Sequence, residues 1–193
     1  MLVKKIIRYC LSACIFLFFG CGSDSIPKPY GYYRIDLPEK QYQELDTVFP
    51  YRFSYPVYGV IVADKGKGDE KYWINIEFKK YKAKIHISYK TVNKNIESLI
   101  EDSRKLAYKH TVKADAINEM IFTNPEKKVF GTLYNIEGNA ASQHQFYLTD
   151  SVHHFIRGAL YFNVQPNKDS LAPVIDFFKK DMIHLIESLE WKW

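Results

Sequence analysis

Hydrophobic and polar residues alternate along several short stretches of the chain, which is the period of a half-buried β-strand. Between residues 72 and 78, for example, Tyr72, Ile74, Ile76 and Phe78 fall on one face. The predicted strands are residues 51–55, 58–63, 72–78, 85–89, 117–123, 128–137, 143–149 and 153–164, with a hairpin turn through residues 79–84.

Two other stretches carry apolar residues at the spacing of an amphipathic helix. Asn95 is placed to cap the first helix, Ser170 or Asp169 to cap the second, and Pro173 is expected in the first turn of the second. The apolar positions are Ile96, Leu99, Ile100, Leu106 and Ala107, and then Leu171, Val174, Ile175, Phe178, Met182, Leu185, Ile186 and Leu189. This order of elements predicts an α+β sandwich, an antiparallel sheet covered by two helices.

The first 20 residues have the pattern of a lipoprotein signal peptide. Lys4, Lys5 and Arg8 precede an apolar run over residues 9–20, which is too short for a membrane span of about 20 residues. The run ends directly before Cys21, which is the predicted site of lipid attachment. The alternative is an uncleaved N-terminal anchor helix.

Cysteine usage supports the same interpretation. Cys10, Cys14 and Cys21 all lie within or at the end of this segment, and residues 22–193 contain no cysteine. A thiol-free body suits an oxidising compartment such as the periplasm, and it excludes a disulfide framework or a cysteine-based zinc site there.

After the signal peptide, we expect a lipidated tether and Pro/Tyr-rich arm over residues 21–50, followed by a single domain over residues 51–193. The arm is rich in side chains that favour protein interfaces, and its prolines stiffen it. It either lies across its own domain or docks on a partner. The candidate partner-binding residues of the arm are Tyr30, Tyr32, Tyr33 and Arg34.

Charge places two further candidates in the body. Arg157 lies inside an apolar strand, where a buried guanidinium needs an acceptor. Either a structural ion pair satisfies it, or it anchors a partner, and we keep it as a candidate partner-binding residue. The lysines of residues 79–84 either solvate a turn or contact phosphates or acidic lipid.

Overall charge argues against nucleic acid as a partner. The chain has 27 basic and 22 acidic residues, and removal of the three basic residues in positions 1–20 leaves 24 basic residues against the same 22. Nucleic-acid-binding proteins usually have a pronounced basic surface.

No set of residues predicts catalysis, a metal site or a cofactor. His153 and His154 are adjacent on a strand and point to opposite faces, so they are poorly placed to bind one ion. Nucleophile-elbow, phosphate-loop and zinc-protease motifs are missing from the sequence. We therefore predict neither an enzyme nor a cofactor.

Three long segments resemble the gliding-motility lipoprotein GldD family of Bacteroidota. They are PKPYGYYRIDLP at 27–38, HFIRGALYFN at 154–163 with PNKDSLAP at 166–173, and LIESLEWK at 185–192. The resemblance covers nearly the whole chain. The element order also resembles, more loosely, the PsbP-like sandwich, a binding fold.

The resemblance implies an outer-membrane lipoprotein that faces the periplasm and serves gliding motility and type IX secretion. Its partners would be membrane lipid, through acylated Cys21, and other lipoproteins of that machinery. We expect a non-enzymatic assembly or scaffold component. The alternative is a periplasmic carrier of a small ligand or lipid, of unknown identity, in the cavity of a PsbP-like sandwich.

Overall fold

The computed structural model describes residues 35–64, 71–109, 113–165 and 167–192. The strands are β1 (Tyr42–Glu44), β2 (Tyr51–Arg52), β3 (Ser54–Pro56), β4 (Val60–Ala63), β5 (Ile74–Phe78), β6 (Ala83–Thr91), β7 (Ala114–Asn124), β8 (Val129–Gly138), β9 (His144–Thr149), β10 (His154–Phe162) and β11 (Glu190–Trp191). The α-helices are α1 (Ile96–Tyr108) and α2 (Lys168–Ser188), and a short 3-10 helix spans Lys79–Tyr81.

Within these residues, seven strands form one sheet in the order β4-β5-β6-β10-β9-β8-β7. Every neighbouring pair is antiparallel. In the centre, Gly158 of β10 lies opposite Ile87 of β6 and Phe146 of β9. The predicted class, an antiparallel α+β sandwich, is confirmed.

The alternation of side chains gives the sheet two different faces. On one face, Ile76, Ile85 and Leu160 are fully buried against α2, which contributes Phe178 and Met182 to the same core. We call this the core face. Helix α1 packs on the opposite face, where Leu99 contacts the side chain of Phe155. We call that the α1 face. The sheet is therefore covered on both sides, as antiparallel sheets need when both faces carry apolar residues.

The start of α2 differs from the prediction. The cap is Asn167, whose side-chain oxygen accepts from the backbone N–H of Ser170 at 3.1 Å, and not Ser170 or Asp169. Because the helix begins at Lys168, Pro173 is its sixth residue and lies in the second turn. Its ring therefore removes one backbone hydrogen bond from the helix.

Two small antiparallel ladders lie outside the large sheet. One joins two strands near the N-terminal side of the described chain, and the other joins the N-terminal side to the C-terminal side. Strand β1 pairs with β3, and β2 pairs with β11 so that Tyr51 lies opposite Trp191. The Arg52 guanidinium forms an ion pair with Glu190 across the second ladder. Leu45, from the segment predicted as tether and arm, is buried in the core. Residues 42–50 thus pack on the domain.

Candidate functional site

Most of the predicted site residues lie outside the described residues. They are Cys21, Tyr30, Tyr32, Tyr33 and Arg34. Arg157 is described, and it lies near the middle of β10 on the α1 face, opposite Ser88 of β6 and Tyr147 of β9.

Arg157 lines a cleft of about 310 Å³ between α1 and the sheet. We call it the Arg157 cleft. Its apolar walls and its polar groups come from two strands, β6 and β10, from α1 and from the residue before β5. The lining residues are Trp73, His86, Ser88, Lys90, Leu99, Asp102, Ser103, Leu106, Phe155, Arg157 and Tyr161.

The guanidinium of Arg157 binds an amide rather than a carboxylate. Its Nη2 donates to Oε1 of Gln145 at 2.5 Å. None of the ion pairs in the described part of the chain includes Arg157. Gln145 is almost fully buried, and its Nε2 has no acceptor among the described residues. Since buried donors are normally satisfied, the Nε2 group of Gln145 is an exception within the described part of the chain.

The wall of the cleft beside Arg157 is held in place by further hydrogen bonds. His86 Nδ1 lies 3.0 Å from both Asp64 Oδ2 and Asn75 Oδ1. The Trp73 indole N–H donates to the backbone oxygen of Tyr89 at 2.8 Å. Burial lowers the pKa of His86 below its ordinary value, although Asp64 opposes that shift. The imidazole is therefore neutral at neutral pH, and the half-buried Arg157 supplies positive charge in the cleft.

A second polar cluster fastens the described end of the arm to α2. Asp181 has a fully buried side chain, and Lys40 Nζ lies 2.7 Å from its Oδ1. The Tyr42 hydroxyl donates to Oδ1 at 3.0 Å, and the Tyr58 hydroxyl donates to Oδ2 at 2.7 Å. We call these residues, Lys40, Tyr42, Tyr58 and Asp181, the arm clamp. Burial raises the pKa of both tyrosines, so each keeps the proton that it donates.

Other contacts strengthen the arm clamp. Lys40 Nζ also donates to the Phe177 backbone oxygen at 2.9 Å and lies over the Phe177 ring. The Tyr42 ring stacks on His184 with centroids 3.6 Å apart. Sequence reasoning missed this cluster. Its one signal was Asp181 itself, a carboxylate three positions after Phe178 on the apolar stripe of the helix.

The described histidines other than the exposed His153 are engaged in packing. His154 accepts or donates at Nδ1 with the Tyr89 hydroxyl at 2.8 Å, and its ring stacks on Trp191. Among the described residues, no three side chains of His, Cys, Asp or Glu are grouped to hold a metal ion. No described helix is long and apolar enough to span a bilayer.

Comparison with known proteins identifies a family. The family of gliding motility lipoprotein GldD matches residues 22–191. No curated protein matches the chain. Among solved structures, cyanobacterial PsbP (CyanoP) from Synechocystis sp. PCC 6803 is similar, with 11% identity and a TM-score of 0.48, over 82% of this chain and 97% of that one. The fold class assigned above depends on the strand order and the helices, independently of this likeness.

Proposed function

Because this chain belongs to the gliding motility lipoprotein GldD family, we propose that it is a non-enzymatic assembly component of the gliding-motility and type IX secretion machinery. In this proposal it is an outer-membrane lipoprotein, anchored through acylated Cys21 and facing the periplasm. The observation that carries the proposal is the family match, which begins at residue 22, directly after the cysteine, and extends through the body to residue 191.

The arm clamp supports a tether that ends before Lys40, so the domain begins earlier in the chain than residue 51. Lys40 and Tyr42 are fixed to α2, so the arm leaves the body from a defined point. In the proposal, residues 1–20 are removed, and Cys21 lies 14 positions before the first described residue, Ile35. The tether then joins a lipid anchor to a rigid attachment.

The chemistry of the described residues supports an assembly role over catalysis. The carboxylate of Asp181 accepts from Lys40, Tyr42 and Tyr58 and is closed off from solvent. Its oxygens are therefore not accessible to a substrate. The described large hydrophobic side chains that are exposed, such as Val60 and Ile121, include no aromatic ring. An aromatic contact surface would consequently come from Tyr30, Tyr32 and Tyr33 of the arm.

The carrier function remains the second candidate, and the Arg157 cleft favours it. Trp73, Leu99 and Phe155 supply apolar walls, and Arg157 supplies a polar anchor. Its volume of about 310 Å³ is at the lower end of the size range of small-molecule sites, roughly 300–1,000 Å³. A ligand of that size would need an acidic group to meet Arg157.

Site-specific crosslinking in cells separates the two functions. A photoreactive amino acid at Tyr32, or at the exposed Asp102 on the rim of the Arg157 cleft, should capture the same defined protein partners in repeated experiments. The exposed Asp176 on α2 provides the control position. Crosslinks to small molecules alone at position 102, with no protein captured at either position, would contradict the assembly role and support a carrier.

The anchor has its own test. Replacing Cys21 with Ala should abolish acylation and leave the precursor uncleaved, because the thiol is the attachment point. Mass spectrometry of the wild-type N-terminus should show an acylated Cys21 as the first residue. An unmodified Cys21, or an N-terminus at Met1, would contradict the proposed anchor.

A further inference from the structure

The turn between β5 and β6 concentrates exposed positive charge. Lys79, Lys80, Lys82 and Lys84 are all exposed, and we call them the lysine turn. The 3-10 helix is closed by Lys82, which adopts the left-handed conformation and donates its N–H to the Lys79 oxygen at 3.2 Å. The backbone therefore holds the lysines in a fixed arrangement.

Three of these lysines line a pocket. Lys79, Lys82 and Lys84 line a cavity of about 540 Å³ together with Tyr161 and Phe162 of β10. Among the described lining residues, Glu77 is the only carboxylate. Three ammonium groups against one carboxylate leave an excess of positive charge, as a binding site for phosphate groups requires.

The arm reaches the body at the same end. The Tyr81 hydroxyl donates to the backbone oxygen of Asp36 at 3.0 Å, and Lys80 Nζ lies 3.5 Å from that oxygen. Ile35, the next residue toward Cys21, is 38% exposed. Val164 is equally exposed, one residue after Asn163, whose N–H donates to the Lys82 oxygen at 2.7 Å. Lysines, a tyrosine and two aliphatic side chains thus share the end of the domain from which the chain runs toward its cysteine.

We propose that the lysine turn docks on the phosphate groups of anionic phospholipids in the membrane that holds the acyl chains of Cys21. The anchor in this inference rests on the proposed function. A fully extended chain spans at most about 3.6 Å per residue, so the 14 positions between Cys21 and Ile35 allow a separation of up to ~50 Å. The tether alone therefore leaves the orientation of the domain open, and contacts of the lysine turn with lipid fix it.

Weak contacts suffice for this docking. Tethering to the bilayer raises the effective concentration of lipid phosphate around the domain to the millimolar range or higher. A lysine near an anionic leaflet gains about fivefold in partitioning, and the gain falls with salt. Ile35 and Val164 would enter the interfacial region beside the lysines, as apolar residues do on membrane-surface elements.

The test uses the mature chain with Cys21→Ser, so that no acyl group contributes to binding. Sedimentation with phosphatidylcholine vesicles is compared with sedimentation with vesicles of phosphatidylcholine and phosphatidylglycerol in a three-to-one ratio. We expect at least about tenfold stronger partitioning into the anionic vesicles, decreasing as salt is added. The triple variant Lys79→Gln, Lys82→Gln and Lys84→Gln should lose about tenfold or more.

A matched control removes the same charge elsewhere. Lys90, Lys94 and Lys109 are also exposed, and Lys94, like Lys82, has a positive φ. Their triple change to Gln should alter partitioning by less than about twofold. Thermal melts should show both triple variants folded. If the lysine-turn triple variant does not fold, the single change Lys84→Gln replaces it, and if the control triple variant does not fold, the single change Lys90→Gln replaces it.

Three outcomes would overturn the proposal. They are equal partitioning into both kinds of vesicle, equal losses in the two triple variants, and loss of vesicle binding in millimolar inorganic phosphate at constant ionic strength, which would indicate a site for free phosphate. Failure of the anchor is detected separately, by mass spectrometry of the wild-type N-terminus. The two proposals can therefore fail independently.

Discussion

Asp181 shows how one residue connects distant parts of the chain. It lies on α2, and its carboxylate accepts from Lys40 and Tyr42, near the start of the described chain. Its third described donor is Tyr58. A buried charge that is fully paired in this way is costly to disrupt from one side, because the remaining partners keep their desolvation penalty.

Replacing Asp181 with Ala should therefore lower the free energy of unfolding by about 3 kcal/mol. Asp181→Asn, which keeps one acceptor oxygen, should cost less. Chemical denaturation of purified protein measures both, and Asp176→Ala, an exposed position on the same helix, is the control. A loss for Asp181→Ala no greater than that for the control would show that the arm clamp contributes little to stability.

His144 predicts a pH dependence of stability. Its ring is buried on β9, both ring nitrogens lack a partner among the described residues, and burial lowers its pKa to about 4. In the unfolded chain a histidine titrates near its ordinary value of about 6.5. As the pH falls from about 6.5 to about 4, the unfolded state takes up the proton before the folded state does, so the free energy of unfolding decreases.

The free energy of unfolding should consequently be highest above pH ~6.5 and fall by roughly 3 kcal/mol toward pH 4 through this residue. The carboxylates of Asp150 and Glu190, whose pKa values are lowered by hydrogen bonds, add a loss at more acidic pH. Denaturation at several pH values measures the free energy of unfolding, which should change less between pH 4 and 6.5 in His144→Gln than in the wild type. The exposed His153→Gln is the control. An equal pH dependence of the free energy of unfolding in wild type and His144→Gln would contradict the prediction.

At the scale of elements, the close approach of β9 and β10 depends on a glycine. A Cβ placed on Gly158 would lie 2.2 Å from the ring of Phe146, which is fully buried on the core face. The ring lies within the core and β10 is paired on both sides, so neither can shift without disturbing its neighbours. The glycine is therefore required by packing.

Gly158→Ala should destabilise the protein by about 2–3 kcal/mol through overpacking. Combining it with Phe146→Leu, which vacates the space, should cost less than the sum of the two single changes. A double-mutant cycle by denaturation measures the coupling. Strict additivity would mean that the clash is relieved elsewhere in the core.

Local periodicity predicted the elements that are long enough to repeat their apolar side chains several times on one face. Strands β5 and β6 alternate cleanly, and α2 repeats its apolar residues over 21 positions. Strands β1 and β11 were missed because they have only three and two residues, and β11 also depends on a partner far away in sequence. The Arg157 cleft was foreseen only as an arginine in need of an acceptor. Neither Gln145 nor Trp73 carried a signal, because their proximity arises from sheet order.

At the scale of the whole molecule, the arm and the body should respond differently to substitution. The proposed partner residues of the arm precede the described part of the chain, whereas Tyr42 belongs to the arm clamp. A change in the proposed partner residues should alter function without altering stability. A change in the arm clamp should lower stability first.

The double change Tyr32→Ala with Arg34→Ala should reduce type IX secretion while the melting temperature of the purified domain stays nearly unchanged. Interface truncations of this kind cost about 2 kcal/mol or more in binding when the side chains are well buried in the complex. Tyr42→Ala, the control, should lower the melting temperature. If the arm variant melts several degrees lower and secretion only follows protein abundance, the arm belongs to the folded core and the interface proposal is wrong.

The ladder between β2 and β11 and the arm clamp have a consequence for the order of events in the life of the chain. Tyr42 and Asp181 are 139 positions apart, and β11 is the strand with which β2 pairs within the described residues. A polypeptide emerges from the ribosome N-terminus first, so Tyr42 and β2 cannot complete these contacts until α2 and β11 have been made. Such distant pairings also close slowly. If Cys21 is acylated as proposed, its thiol would therefore be available to the acylating enzymes before the domain could complete its fold.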